Sequence, residues 1–77
     1  MDISRERHMI IQDLVIGIKA MINEGNLGRL SLALLVVSEN FANDKHILNL
    51  LIRKTDGLDH KGIQEQRDYI KHLLSYL

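Results

Sequence analysis

Hydrophobic and polar positions recur at three- and four-residue steps along most of this chain of 77 residues, and that periodicity is typical of amphipathic helices. Short stretches rich in Gly, Asn and Asp interrupt the pattern, as turns do. The sequence therefore predicts an all-α fold, a small four-helix domain that spans residues 1–77. The four helices are expected near residues 4–24, 27–39, 44–55 and 60–77.

The first predicted helix carries an apolar stripe that is wider than one packed neighbour requires. Ile11, Leu14 and Ile18 recur at helical spacing, and Ile10 and Met21 widen the stripe that they form. A stripe of this width predicts that the helix has two contact surfaces rather than one.

A glycine, Gly17, lies inside the same helical pattern, where it costs roughly 1 kcal/mol relative to Ala. One interpretation is a close crossing of two helices, because a missing Cβ lets their backbones approach. The other interpretation, which we prefer, is an accident of packing.

The second predicted helix contains an apolar run from Leu30 to Val37, in which Ser31 is the only polar side chain. A helix with this run is apolar around its whole circumference and has to be covered on all sides. A buried strand is the competing interpretation, but the chain offers no second strand to pair with it. Since a chain of this length has few elements to cover the run, we predict a partner, either a second copy or another protein.

Turn residues mark the ends of the predicted helices. Gly25 suits the left-handed conformation that follows a helix, and the segment 55–57 ends the third helix. The segment 40–43 is a connection, although the sequence leaves open whether helices two and three merge through it. Asp44 is expected at the first position of the third helix, where it complements the helix dipole. The residues expected to cap the helix N-termini are Asp2 or Ser4, Asn26, Asn43 and Asp59, in chain order.

The amino-acid composition excludes several classes of function. The chain has no Cys, which excludes disulfides and a thiolate zinc site and fits a reducing compartment. Its formal charge is zero, which argues against a strongly basic nucleic-acid binder but not against a locally basic face. The longest apolar run is far shorter than the ~20 residues that cross a bilayer. No secretory signal is visible, and we therefore expect a cytoplasmic protein.

No group of polar residues predicts catalysis. Glu65, Asp68 and His72 share one face of the fourth helix, but no two histidines have the spacing of a metal site. A solvated face is therefore the simpler interpretation. Glycine-rich phosphate loops and nucleophile motifs are absent from the sequence. We expect no enzymatic activity, no cofactor, no metal and no small-molecule substrate.

The function that the sequence favours is a small regulatory or adaptor protein that acts through helix-mediated protein–protein interaction, as a homodimer. Burial of Leu and Ile side chains would supply the energy of association. The expected interface combines the excess apolar surface of the first helix with the exposed remainder of the second and fourth helices. The residues expected to form interface and core together are Ile10, Ile11, Leu14, Ile18, Leu34, Leu35, Tyr69, Leu73 and Tyr76.

A helix-turn-helix that binds DNA is the alternative, because helix two, the short connection and helix three have about the required lengths. Two observations argue against it. Leu48 and Ile52 are expected on or near the face that would read the DNA, and the turn lacks Gly. The residues that would contact DNA are Lys45, His46, Asn49, Arg53 and Lys54.

Residues 43–52 and the C-terminal tail also carry a family resemblance. In the tail, the positions that match are Gln66, Tyr69, Ile70, Leu73 and Leu74. With these positions the C-terminal half resembles the small enterobacterial proteins of the YmgB/AriR type. The resemblance implies an all-helical homodimer linked to biofilm formation and acid resistance, which acts as a connector to a phosphorelay. It implies no catalytic residue.

Overall fold

The computed structural model describes residues 3–77, with side chains from Arg5 onward. Those residues form four α-helices and no strand, which confirms the predicted all-α fold. The predicted bounds are correct to within one residue, except that the fourth helix ends at Leu74 rather than at the last residue. The helices are α1 (Ile3–Asn23), α2 (Leu27–Asn40), α3 (Lys45–Lys54) and α4 (Lys61–Leu74).

Helices α2 and α3 are the centre of the arrangement, because α1 and α4 each pack against both of them. The chain measures 38 × 30 × 17 Å, and its shortest dimension corresponds to two layers of helices with axes about 8–10 Å apart. One hydrophobic core joins the four helices. Its buried members are Ile18, Leu30, Leu34, Ile47, Leu48, Leu51, Ile63 and Ile70.

The turns separate all four helices, which answers the open question about helices two and three. Gly25 adopts the expected left-handed conformation with φ +70°, and Gly57 does the same after α3 with φ +78°. Helix α2 ends at Asn40, and a short turn with an N–H of Asp44 bonded to the carbonyl of Phe41 leads into α3. The connection between these helices is therefore a real break in the helix.

Two of the predicted N-caps are wrong by one residue. Asp44, not Asn43, caps α3, because its carboxylate accepts a hydrogen bond of 3.1 Å from the backbone N–H of Ile47. His60, not Asp59, caps α4, where its Nδ1 accepts from the N–H of Ile63 at 3.3 Å. In both helices the capping residue has an extended backbone and directly precedes the first helical residue, as an N-cap requires.

The other predicted caps have different outcomes. Asn26 is the N-cap residue of α2, as predicted, but its side chain makes no capping hydrogen bond. The expected cap of α1 at Asp2 or Ser4 lies outside the residues whose side chains are described.

The apolar run of α2 is covered on only part of its circumference. Leu30 and Leu34 are buried in the core, with 0% and 1% of their surface exposed. On the outer face, Leu32 is 65% exposed and Val36 is 56% exposed. A single chain therefore covers the inner half of the run and leaves a pair of large apolar residues at helical spacing in contact with solvent.

Among the described residues, no helix combines the length and the apolar character that a membrane span requires.

Candidate interaction surfaces

An apolar groove runs between α1 and α2. Its cavity has a volume of about 90 Å³, and Gly17 of α1 and Ala33 of α2 both line it. A Cβ added to Gly17 would meet no atom within 4 Å, so the chain itself makes no close helix crossing there. The groove is lined by Asp13, Leu14, Gly17, Ile18, Met21, Leu30, Ala33, Leu34, Val37 and Leu51.

Exposed apolar residues lie on the same two helices as the groove. Ile10 of α1 is 40% exposed, and Leu32 and Val36 of α2 are exposed further. We use the name α1–α2 face for Ile10, Gly17, Leu32, Ala33 and Val36, of which Gly17 and Ala33 line the groove and the other three are exposed apolar residues on the same two helices. Isolated apolar residues on a protein surface are ordinary, but an apolar groove with exposed apolar neighbours is typical of a binding surface.

The residues predicted as interface and core together lie in three different environments. Ile18 and Leu34 are in the buried core. Ile11, Leu14 and Leu73 are partly buried and pack against that core, and Leu35 is also partly buried. The structure thus places five of the predicted residues inside or against the core. The exposed members of the set are Ile10, Tyr69 and Tyr76.

An ion pair joins α1 to the beginning of α3. The guanidinium of Arg7 donates two hydrogen bonds to the carboxylate of Asp44, one of them 2.7 Å from Nη2 to Oδ1. These hydrogen bonds, together with the N–H of Ile47, lower the pKa of Asp44 to about 2, and the same pairing raises the pKa of Arg7. Sequence patterns did not indicate this contact, because its two residues are 37 positions apart.

The outer face of α3 is polar and basic. Lys45, His46, Asn49 and Arg53 are all exposed, and Lys54 is partly buried. These are the residues that the helix-turn-helix alternative requires, and the structure brings them to one helix.

One of the observations that argued against that alternative is wrong. Leu48 is 0% exposed and belongs to the core, because α3 is packed on its opposite side by α1 and α4. Ile52, the other apolar residue near this face, is partly buried and packs against the same core.

The polar face of α4 brings no metal ligands together. The ring of His72 lies against that of Tyr76 in an edge-to-face arrangement, with centroids 5.0 Å apart. Within the described part of the chain, no three His, Cys, Asp or Glu side chains form a group that would hold a metal ion. The α1–α2 face and the outer face of α3 are two surfaces to which a function can be assigned.

Comparison with known proteins finds no relative of this chain. No family model matches the chain, and no curated protein or solved structure matches it either.

Proposed function

We propose that this chain is a non-enzymatic regulatory or adaptor module that works by binding protein, and that it forms a homodimer through the α1–α2 face. The observation that carries the proposal is the apolar surface that α1 and α2 leave uncovered. Leu32 and Val36 are exposed on a helix whose sequence requires cover on all sides. The groove between α1 and α2 supplies a separate recess on the same two helices, lined by Gly17 and Ala33 but not by Leu32 or Val36.

A stable dimer requires burial of the whole α1–α2 face rather than of one residue. Full burial of a Val or Leu side chain gives about 1.5–3 kcal/mol, whereas association costs at least about 4 kcal/mol in lost translational and rotational freedom. Burial of Leu32 and Val36 alone would therefore barely offset that cost. The groove and Ile10 have to contribute, as expected for a standard interface that buries about 800 Å² on each partner.

A second copy is the partner that the charge balance favours. In a twofold dimer the same patch faces itself, so a strongly charged chain would repel its own copy. This chain has a formal charge of zero, which leaves little net repulsion between copies. The cytoplasmic location and the resemblance to the YmgB/AriR-type proteins stay predictions from the sequence.

The test is sedimentation equilibrium over a wide range of protein concentration, on the native chain and two variants. Val36→Lys places a charge on the α1–α2 face and should abolish the dimer. Ile16→Lys is the matched control, because Ile16 is at least as exposed as Val36, at 65% against 56%, and does not belong to the α1–α2 face. It should dimerise as the native chain does. A native chain that stays monomeric throughout the range would overturn the proposal.

A further inference from the structure

Positive charge is concentrated on α3 although the chain as a whole is neutral. Between Lys45 and Lys54 there are three basic residues and no acidic one. Lys45 and Arg53, at the two ends of the outer face, are exposed and make no ion pair with another residue that the structure describes. The excess of positive charge on this face is therefore available to a ligand.

The acidic residues on either side of α3 are already engaged by arginines from other helices. Asp44, at the beginning of α3, is held by Arg7 of α1. Asp56, just after α3, accepts a hydrogen bond of 3.2 Å from Nη2 of Arg67, which lies on α4. The same Nη2 lies 3.4 Å from the carbonyl oxygen of Ile52. Because both carboxylates already pair with arginines, they neutralise less of the positive charge on the outer face of α3.

We infer that the outer face of α3 binds double-stranded DNA. Lys45, Asn49 and Arg53 follow one another at four-residue steps, which forms a row about 12 Å long on a helix that rises 1.5 Å per residue. The major groove of DNA is about 12 Å wide and admits a helix of this kind. The two cations contact phosphates at the ends of the row, and the central amide of Asn49 has the donor and acceptor that pair with adenine.

Other polyanions fit this face less well. No large hydrophobic side chain is exposed between residues 45 and 54, and a helix that binds a lipid surface needs an apolar side to insert. No Phe, Tyr or Trp lies on α3, and single-stranded nucleic acid is bound largely by stacking on aromatic rings. Double-stranded RNA has a deep, narrow major groove that side chains do not read. Duplex DNA is the ligand that remains.

The experiment measures fluorescence anisotropy of a labelled DNA duplex as the salt concentration is varied. If Lys45 and Arg53 each contact one phosphate, the slope of log K against log salt should be about −1.8, since each contact contributes about −0.9. The double variant Lys45→Ala/Arg53→Ala removes both contacts. Its slope should fall towards zero, and its affinity at low salt should drop by about tenfold or more.

The matched control is Lys19→Ala/Lys71→Ala, which removes the same charge from exposed positions on α1 and α4. It should keep most of the affinity and the native slope, and circular dichroism should show that both double variants remain helical. Equal loss in both variants would overturn the inference, and so would tighter binding to single strands or to anionic vesicles than to the duplex. The inference does not rest on the homodimer, because α3 lies outside the α1–α2 face.

Discussion

The two outer helices, α4 and α1, pack on the same central pair with very different completeness. On α4, Ile63 and Ile70 are both 0% exposed. Among the side chains of α1 that the structure describes, only Ile18 is buried to a comparable degree, at 4%, and the other apolar residues of its stripe are partly buried or exposed. The isoleucines of α4 are therefore covered completely within one chain, whereas most of the apolar stripe of α1 keeps part of its surface in contact with solvent.

Two glycines show the same contrast at the level of single atoms. A Cβ added to Gly62 of α4 would lie 2.6 Å from Oγ of Ser31 and 3.1 Å from the ring of His60. A Cβ added to Gly17 of α1 would meet nothing within 4 Å. Gly62 lets α4 approach α2 closely, and Gly17 instead deepens a groove that the chain does not fill.

The largest expected effect comes from truncating a buried leucine of the core. Leu48→Ala removes a side chain that is 0% exposed, and the lost burial and the cavity should lower the free energy of unfolding by about 2–5 kcal/mol. Leu32→Ala is the matched control on the α1–α2 face and should cost less than about 0.5 kcal/mol in dilute protein. Urea unfolding measures both variants. A similar cost for both in dilute protein would remove the contrast between the covered core and the exposed α1–α2 face.

Gly62→Ala should have the next largest effect, because the new Cβ would overlap Oγ of Ser31. Overpacking of this kind costs about 1–3 kcal/mol. Gly28→Ala is the control, since Gly28 is also the second residue of its helix and has open space around it. The double variant Ser31→Ala/Gly62→Ala removes the overlapping hydroxyl and should recover most of the loss. Failure of the double variant to recover would show that the contact with Ser31 is not the cause.

The N-cap of α3 contributes less to stability than a buried leucine does. Its residue, Asp44, also joins α3 to α1 through the ion pair with Arg7. Asp44→Ala should lower the free energy of unfolding by about 0.5–2 kcal/mol through loss of the cap. Because the pKa of Asp44 is lowered to about 2 in the folded protein, its charge stabilises the fold fully above the unfolded pKa of about 3.9. That stabilisation should be lost as the pH falls through about 2. Urea unfolding at a series of acidic pH values measures this loss.

Asp44→Asn separates the cap from the charge, because Asn and Asp are equally good N-caps. This variant should keep the cap and lose the charged partner of Arg7. Its stability should therefore fall less steeply than that of the native chain between pH 4 and pH 2. An unchanged pH dependence would show that the ion pair with Arg7 does not stabilise the fold.

The helix bounds were predictable from the sequence because Gly, Asn and Asp mark the turns in the chain itself. The caps were less predictable. Asn43 and Asp44 are both good N-caps, and the one that is used also pairs with Arg7, which lies far away in the sequence. His60 is the cap of α4 although the neighbouring Asp59 belongs to a preferred type. At α3, where two adjacent residues both suit a cap, the residue used is the one that also makes a tertiary contact.

The candidate surfaces were predictable only in part. The apolar run of α2 contains no polar position that marks its outer side, so periodicity alone does not show that Leu32 and Val36 face solvent. On α3 the polar residues do mark the outer side. Their exposure was expected, but Leu48 was misplaced because its burial depends on how α1 and α4 pack on α3.

The smallest expected effect is also the most direct test of whether a second copy packs against α1. Gly17→Ala should raise the free energy of unfolding of the monomer by about 0.5–1 kcal/mol, because Ala is the better helix former and its Cβ meets no atom of the same chain. If a second copy packs its backbone into the groove, the same Cβ should weaken the dimer in sedimentation equilibrium. Gly28→Ala, whose Cβ also enters open space, should leave dimerisation unchanged. A Gly17→Ala chain that is more stable and dimerises as before would mean that the partner's backbone does not approach Gly17, and the contact would then rest on Ile10, Leu32 and Val36 alone.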